Sequence, residues 1–113
     1  MLAYDEKLAN RIRKALTKDW NFTEKEVYGS WGFWVGDQLV CGVLEDDLLC
    51  RVDPGDQGKL LAERNVKPFD DLGRKMTGFV ILKPGALKAG KAMEWWLDKA
   101  VIAAKAHAKK LRQ

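Results

Sequence analysis

The densest hydrophobic pattern in the chain, at residues 26–52, predicts three antiparallel strands joined by two tight turns. The first strand, at residues 27–35, is rich in aromatic and β-branched side chains, which fit the pleated surface of a sheet. Gly36-Asp37 predicts a two-residue hairpin turn, because glycine at its first position supplies the positive φ that the turn needs. Two further strands follow, at residues 38–44 and 48–52.

The register of these strands assigns their side chains to two faces of the sheet. With two-residue turns, one face carries Ser30, Gly32 and Trp34 together with both cysteines. The second face carries apolar side chains, among them Trp31, Phe33, Val40, Leu44 and Leu49. A sheet with one solvated face shows polar residues on that face. We therefore expect the second face to be covered by helices of this chain or by another protein.

The same register makes two specific predictions about pairs of residues. Arg51 lies opposite Gly42, whose missing side chain leaves room for the guanidinium. Cys50 lies opposite Val43, which places Cys41 and Cys50 on a diagonal of roughly 7–8 Å, beyond disulfide geometry.

Outside this region, helical spacing of apolar residues predicts three helices, at residues 5–18, 54–64 and about 91–111. Residues 19–25 are interpreted as a connection. Two more strands are predicted, at residues 66–69 and 77–82. Pro68 restricts the first of them to an edge of the sheet. The order α-β-β-β-α-β-β-α predicts a single α+β domain over residues 1–113, with two layers and an antiparallel sheet.

Composition agrees with one soluble globular domain. Of the 113 residues, 47% are hydrophobic and 32% are charged, which excludes a disordered chain and allows one core. No apolar run approaches the roughly 20 residues that span a bilayer, and the start of the chain lacks the pattern of a signal peptide. We therefore expect a cytoplasmic protein that is not inserted in a membrane.

The net charge of +4 is spread along the chain and is densest near the C-terminus. Cations at the end of a helix complement its dipole, so a solvated helix end explains this density. A nucleic-acid patch is the alternative interpretation, but specific readout needs several side chains placed at base edges. We expect nucleic-acid binding by this domain to be weak or absent.

No combination of residues in the sequence predicts catalysis. Ser30 has no histidine in its motif, and His107, the only histidine, falls in the last predicted helix. Cys41 and Cys50 fall inside the predicted sheet, away from the accessible, electropositive setting that activates thiolates. CxxC pairs and histidine clusters are missing from the sequence. We therefore expect a protein that is not an enzyme and that uses no metal and no cofactor.

Four residues are candidates for contacts with a ligand or partner. Arg51 is a charge in an otherwise apolar strand, so it either pairs with a carboxylate of this chain or binds an anion. Arg74 falls in a predicted polar turn, where simple solvation is the alternative to a ligand contact. Trp31 and Phe33 belong to the second face, and aromatic residues are enriched where partner proteins dock.

Ordered motifs along almost the whole chain give a resemblance to a known family. They are Tyr4-Asp5-Glu6-Lys7-Leu8, Arg11-Ile12-Arg13, Tyr28-Gly29, Cys41-Gly42-Val43, Arg51-Val52, Lys67-Pro68-Phe69-Asp70 and Gly73-Arg74-Lys75-Met76-Thr77-Gly78-Phe79-Val80. With these motifs the chain resembles the TfoX N-terminal domain family, named for the competence regulators TfoX and Sxy. The resemblance implies a small α+β domain of the secretion-chaperone-like type. It also implies a stand-alone domain, because the C-terminal domain of the competence regulators has no counterpart in this chain.

Two classes of function remain open. The resemblance, the two apolar sheet faces and the missing catalytic set favour a non-catalytic regulatory or protein-interaction module, with a partner protein or a second copy of the chain on the second face. The alternative is a small-molecule or nucleic-acid binding domain, which the tryptophans, Arg51 and the positive charge favour.

Overall fold

An antiparallel sheet and a layer of helices make up the fold. The computed structural model describes residues 4–18, 20–27, 29–71, 74–88 and 90–111, without the side chains of residues 71, 74 and 75. Within those ranges the strands are β1 (Thr23–Val27), β2 (Ser30–Val35), β3 (Gln38–Leu44), β4 (Asp47–Arg51), β5 (Val66–Asp71) and β6 (Arg74–Leu82), in the spatial order β1-β2-β3-β4-β6-β5. The helices are α1 (Glu6–Thr17), α2 (Gln57–Leu61) and α3 (Ala92–Leu111), with a 3-10 turn at Pro84–Leu87. The predicted α+β class is confirmed.

Local sequence explains where α1 begins and which way it faces. The side chain of Asp5 caps the helix, because it accepts hydrogen bonds from the backbone N–H groups of Lys7 at 2.9 Å and Leu8 at 3.3 Å. Leu8, Ile12 and Leu16 recur at helical spacing and are buried against the rest of the molecule. None of the helices in the described ranges is long and apolar enough to cross a membrane.

β1 is a strand where the sequence pattern predicts a connection. Thr23 pairs with Trp34 and Val27 pairs with Ser30, so the order of elements is α-β-β-β-β-α-β-β-α. Its sequence, Thr-Glu-Lys-Glu-Val, lacks an apolar alternation because β1 lies at the edge of the sheet, where most of its side chains stay in contact with solvent.

A β-bulge in β3 changes the predicted faces. Phe33 lies opposite Cys41 and Trp34 lies opposite Leu39, so Val40 is the extra residue in β3. Val40 and Cys41 are both fully buried in the core under the helices. The predicted relation between β2 and β3 is therefore wrong, and Phe33 rather than Trp34 shares a face with Cys41.

The turns around β3 fix the rest of the register. The predicted turn at Gly36-Asp37 is confirmed, with Gly36 at a φ of 61°. The predicted pairing of Cys50 with Val43 requires the next turn to lie at Asp46-Asp47. It lies one residue earlier, at Glu45-Asp46, because Leu44 pairs with Asp47. Between the predicted and the observed turn, the partner of each residue across β3 and β4 differs by two positions. A shift of two keeps every side chain on the same face, so alternation alone does not distinguish the two registers.

The corrected register changes the neighbours of Arg51 and the cysteines. Cys41 lies directly opposite Cys50, not on a diagonal. Gly42 lies opposite Leu49, so the predicted pair of Arg51 with Gly42 is wrong.

The main core lies between the sheet and the helices. α1 and α3 pack against each other, and α3 contacts β3 and β4. Side chains with less than 2% exposure form its centre, among them Ile12, Leu16, Phe33, Val43, Leu48, Leu82, Leu97 and Val101. The first and last helices therefore cover the same face of the sheet.

A smaller apolar cluster lies on the opposite face of the sheet. Its buried members are Leu39, Leu49, Phe69 and Phe79. The second face predicted from the sequence mixes the two faces of the real sheet, since Trp31, Phe33 and Val40 belong to the helix-side core whereas Leu49 belongs to this cluster. Alternation predicts the faces correctly within β2 and β4, but within β3 the bulge at Val40 reverses the faces of the residues on its two sides.

Both edges of the sheet carry residues that hinder further strand pairing. β1 presents the charged run Glu24-Lys25-Glu26. β5 carries Pro68, which has no backbone N–H, and its pairing with β6 is irregular between Pro68 and Asp70. The edge position predicted for the Pro68 strand is confirmed.

Candidate functional site

α3 has one apolar face against the sheet and a second apolar line toward solvent. The buried face consists of Met93, Trp96, Leu97, Ala100, Val101, Ala103 and Ala104. On the outer side, Trp95 and Ile102 are 46% and 64% exposed although both are large and apolar. A spacing of seven residues is about two helical turns, so they lie on one line, and Ala106 continues it. We name Trp95, Ile102 and Ala106 the α3 stripe.

Cations frame the α3 stripe. The Lys99 Nζ lies 4.8 Å from the centre of the Trp95 ring, which is a cation–π contact on the stripe itself. Lys91 lies just before the helix, and Lys109 and Lys110 lie in its last turn, one on each side of the line of the stripe. Asp98 lies beside Trp95 and Ile102 at helical spacing, so it is the lysines at the two ends of α3 that favour acidic side chains in a partner.

A small recess accompanies the stripe between α3 and α2. It has a volume of about 110 Å³ and is lined by Val52, Asp53, Asp56, Leu60, Lys99, Ile102 and Ala103. Ile102 therefore forms one wall of a recess of side-chain size, in addition to its exposed surface. A recess of this size is suited to receive one side chain of a partner.

Arg51 is held by a backbone carbonyl and an aromatic ring. In the described part of the chain, Ser30 and Arg51 are the buried polar residues, and Arg51 is 9% exposed. Its Nε donates a hydrogen bond of 2.6 Å to the carbonyl of Leu39. Its guanidinium carbon lies 4.6 Å from the centre of the Phe79 ring, the residue with which Arg51 pairs across β4 and β6. These contacts fix the direction of the guanidinium.

A larger cleft opens beside Arg51, between the end of β4, the middle of β6 and the last turns of α3. Its volume is about 350 Å³. The apolar part of its lining is Val52, Pro54, Phe79, Ala103 and Ala106. The polar part is Arg51, Asp53, Thr77, His107 and Lys110. We name this space the Arg51 cleft.

Trp31 and Phe33 have structural contacts that limit their availability to a partner. The Trp31 indole N–H donates to Glu24 Oε1 at 2.6 Å, and its ring stacks on Tyr4 with the ring centres 5.6 Å apart. Glu24 also accepts from Arg13, and these hydrogen bonds lower the pKa of Glu24 and raise that of Arg13. Phe33 is fully buried and so presents no surface for docking.

The remaining candidates from the sequence lie in separate places. Arg74 pairs with Asp71 at the start of β6, so it belongs to a strand rather than to the predicted turn. The side chain of Arg74 lies outside the described part of the chain, and so does Tyr28 of the Tyr28-Gly29 motif. The Ser30 hydroxyl donates to the carbonyl of Val27 at 2.7 Å. His107 is exposed on α3 and lines the Arg51 cleft.

The cysteines are buried and face each other across β3 and β4. Burial raises the pKa of the Cys50 thiol to about 12, and burial together with the neighbouring Cys50 raises the pKa of Cys41. Both thiols are therefore held in the form that is a poor nucleophile. In the described ranges, no three histidine, cysteine, aspartate or glutamate side chains converge as they would around a metal ion.

No protein-family model matches the chain, and comparisons with curated proteins and with solved structures give no significant match. The α3 stripe and the Arg51 cleft are therefore interpreted from their own chemistry. The α3 stripe does not follow from the periodicity that predicts the helix, since that periodicity describes only the buried face. The pair Trp95-Trp96 is the feature of the sequence that indicates the stripe. Neighbouring residues on a helix point about 100° apart, so when Trp96 faces the core, Trp95 points away from it.

Proposed function

We propose that this protein is a cytoplasmic, non-catalytic regulatory or protein-interaction module of the TfoX N-terminal type. The α+β fold and the ordered motifs along the chain support the family assignment. The observation that carries the interaction proposal is the α3 stripe, where Trp95 and Ile102 expose large apolar side chains on one line of a helix that is otherwise well packed.

The composition of the α3 stripe favours a protein partner. Tryptophan is among the residues that contribute most to binding energy at protein interfaces, and exposed apolar patches on monomers mark interaction sites. Lys99 lies on the stripe, and further lysines lie at both ends of the helix. The partner is therefore a segment that combines apolar and acidic side chains, laid along α3 as a helix lies in a groove.

Charge disfavours a second copy of this chain as the occupant. Two α3 helices packed antiparallel about a two-fold axis would bring Lys91 of one copy toward Lys109 and Lys110 of the other. Like charges placed together in an interface cost several kcal/mol and suppress that pairing. A different protein with carboxylates at those positions avoids this repulsion.

Variants of α3 test the proposal. Ile102→Gln removes the apolar side chain from the stripe, whereas Leu111→Gln makes the same change at a side chain of similar exposure, 66%, that lies off the stripe. Both substitutions are on the surface, so thermal unfolding should shift little. A partner identified by quantitative mass spectrometry of a native pull-down, and then purified, should bind the Ile102→Gln variant about 30-fold more weakly, since loss of a central interface residue costs about 2 kcal/mol or more.

The control and the other outcomes decide between the alternatives. Binding of the purified partner to Leu111→Gln should match the wild type. If the partner binds the wild type and Ile102→Gln with the same affinity, the α3 stripe is not its binding site. If sedimentation shows concentration-dependent dimers and Ile102→Gln abolishes them, the occupant of the α3 stripe is a second copy of this chain. Nanomolar, sequence-specific nucleic-acid binding at about 150 mM salt would favour the nucleic-acid alternative.

A further inference from the structure

We infer that Cys41 and Cys50 are a redox-sensitive pair, and that the folded sheet favours a disulfide between them when a small disulfide oxidant such as oxidised glutathione is present. This inference does not depend on the proposed protein partner or on the α3 stripe. It rests on the register of β3 and β4, which brings together two residues that the register predicted from the sequence keeps apart. Both cysteines are free thiols in the structure.

The register places the two thiols within reach of each other. Cys41 pairs directly with Cys50, and both side chains belong to the core under the helices, so they leave the sheet on the same face. Directly opposite residues of an antiparallel pair have Cα atoms roughly 4.5 or 5.5 Å apart. Both distances lie within the roughly 4.4–6.8 Å that disulfides span. Residues on a diagonal lie beyond that span, at roughly 7–8 Å.

The surroundings of the pair permit the bond but keep reagents away from it. Both side chains are 0% exposed, and β3 and β4 lie between β2 and β6 in the sheet. The Cys50 thiol makes two weak contacts with backbone carbonyl oxygens, of Arg51 at 3.5 Å and of Trp96 at 3.8 Å. A thiol is a weak donor, so little is lost when this sulfur turns toward Cys41. An oxidant therefore reaches the thiols only when the strands separate.

The chemistry is an exchange between the two thiols and the small disulfide. In a chain whose strands have separated, one cysteine thiolate attacks the S–S bond of oxidised glutathione, forms a mixed disulfide and releases the first glutathione thiolate. The second cysteine thiolate attacks the protein sulfur of the mixed disulfide, which forms the Cys41–Cys50 bond and releases the second glutathione thiolate. Two electrons pass from the protein to the oxidant, and the two thiol protons are taken up by the two released glutathione molecules.

The bond and the folded sheet stabilise each other. The fold holds the two sulfurs close, so the equilibrium constant for the bond is larger in the folded chain than in the unfolded chain. By linkage, the bond raises the stability of the fold by the same factor. In a reducing compartment the pair stays as two thiols. Under oxidising conditions, a chain that opens and closes again acquires the bond, which then acts as a latch between β3 and β4.

A titration with glutathione tests this pair. Wild-type protein is equilibrated with mixtures of reduced and oxidised glutathione, once folded and once unfolded in concentrated urea, starting from both the dithiol and the disulfide. After an acid quench, free thiols are alkylated and counted by mass spectrometry. We expect the equilibrium constant for the Cys41–Cys50 disulfide to be at least tenfold larger in the folded protein. A tenfold gain equals about 1.4 kcal/mol, so the disulfide form should melt about 6 °C higher than the dithiol form.

An exchange of two core residues supplies a matched control. Cys41→Val/Val43→Cys keeps the composition of the core and the face on which the thiol lies. Because Val43 lies opposite Leu48, this variant sets its two thiols on a diagonal. Folding should therefore lower its disulfide equilibrium constant, whereas the register predicted from the sequence would exchange the results for wild type and variant.

The wild-type comparison decides the question by itself if the variant does not fold. An equilibrium constant in the folded wild type that is equal to or smaller than that in urea would overturn the inference. Accumulation of mixed disulfides with glutathione, or of disulfide-linked dimers, in place of the Cys41–Cys50 bond would overturn it as well.

Discussion

The carboxylate of Glu24 fastens α1 to the edge strand β1, and its replacement by glutamine should loosen that connection. Arg13 Nε donates to both oxygens of Glu24 at 3.0 Å, and its terminal Nη2 donates to Oε1 at 2.7 Å. The Trp31 indole donates to the same Oε1 at 2.6 Å. Glu24→Gln keeps the size of the side chain but removes its charge and turns one acceptor into an amide that faces the donors of Arg13.

The loss of stability expected for Glu24→Gln follows from the partial burial of Arg13 and Glu24. The side chains of Arg13 and Glu24 are 29% and 23% exposed. Exposed ion pairs contribute roughly 0.2–1 kcal/mol, whereas removal of one partner from a buried pair costs roughly 3–5 kcal/mol. An intermediate cost of about 1.5 kcal/mol corresponds to a fall of about 6 °C in the melting temperature of a domain of this size. Glu63→Gln, at an exposed carboxylate, is the control and should change stability by less than about 0.5 kcal/mol.

The pH dependence shows whether the charge of Glu24 is responsible. Hydrogen bonding from Arg13, and to a smaller extent from Trp31, lowers the pKa of Glu24 below its ordinary value of 4.5. Since the folded pKa is the lower one, the stabilisation is complete above the unfolded pKa and is lost as the pH falls through the folded pKa. In urea unfolding, the difference between wild type and Glu24→Gln should be constant from about pH 7 to 5.5 and should shrink below about pH 4.5.

Two results would contradict this account of the α1–β1 connection. One is a difference in stability that persists undiminished at about pH 3, because a protonated carboxylate no longer attracts Arg13. The other is a cost at neutral pH no larger than that of Glu63→Gln.

Two more predictions follow from the corrected sheet. A methyl group on Gly42 would lie 2.5 Å from the Ser30 hydroxyl oxygen, so Gly42→Ala should cost about 1–3 kcal/mol in thermal unfolding; Ser30→Gly in the same chain should recover much of that loss, and no recovery would contradict the contact. In the native protein at about pH 8, Cys41 and Cys50 should react slowly with iodoacetamide, since burial raises both pKa values. Both should react after denaturation, and a rapidly modified native thiol would contradict their burial.

The elements with strong apolar periodicity could be predicted from the sequence, and the others could not. α1, α3 and the hairpin turn at Gly36-Asp37 lie where the pattern places them. β1 escaped prediction because an edge strand with Glu24-Lys25-Glu26 has no burial pattern to detect. The bulge at Val40 escaped because residues 39–43 are apolar or small throughout, so the pattern holds no sign of where the alternation changes phase.

The candidate sites, like the elements of the fold, could be predicted from the sequence only in part. Arg51 was recognisable as a charge in an apolar strand, but its contacts with Leu39 and Phe79 depend on the strand register and on a long-range pairing. The Arg51 cleft also needs the end of α3 to approach the sheet, which no local pattern encodes. Trp95 and Ile102 were hidden because the buried face of α3 already accounts for the helical periodicity.

The charged and proline-containing edges of the sheet also bear on how the protein behaves when it is concentrated. A second chain that extends the sheet would have to pair with the charged run Glu24-Lys25-Glu26 at one edge. At the other edge it would have to pair with β5, where Pro68 has no backbone N–H to donate. Cross-β fibrils grow by repeated additions of this kind, so the folded domain does not act as a template for them. Fibril formation would have to begin from chains that have first unfolded, and its rate should therefore follow the unfolding of the domain rather than its concentration alone.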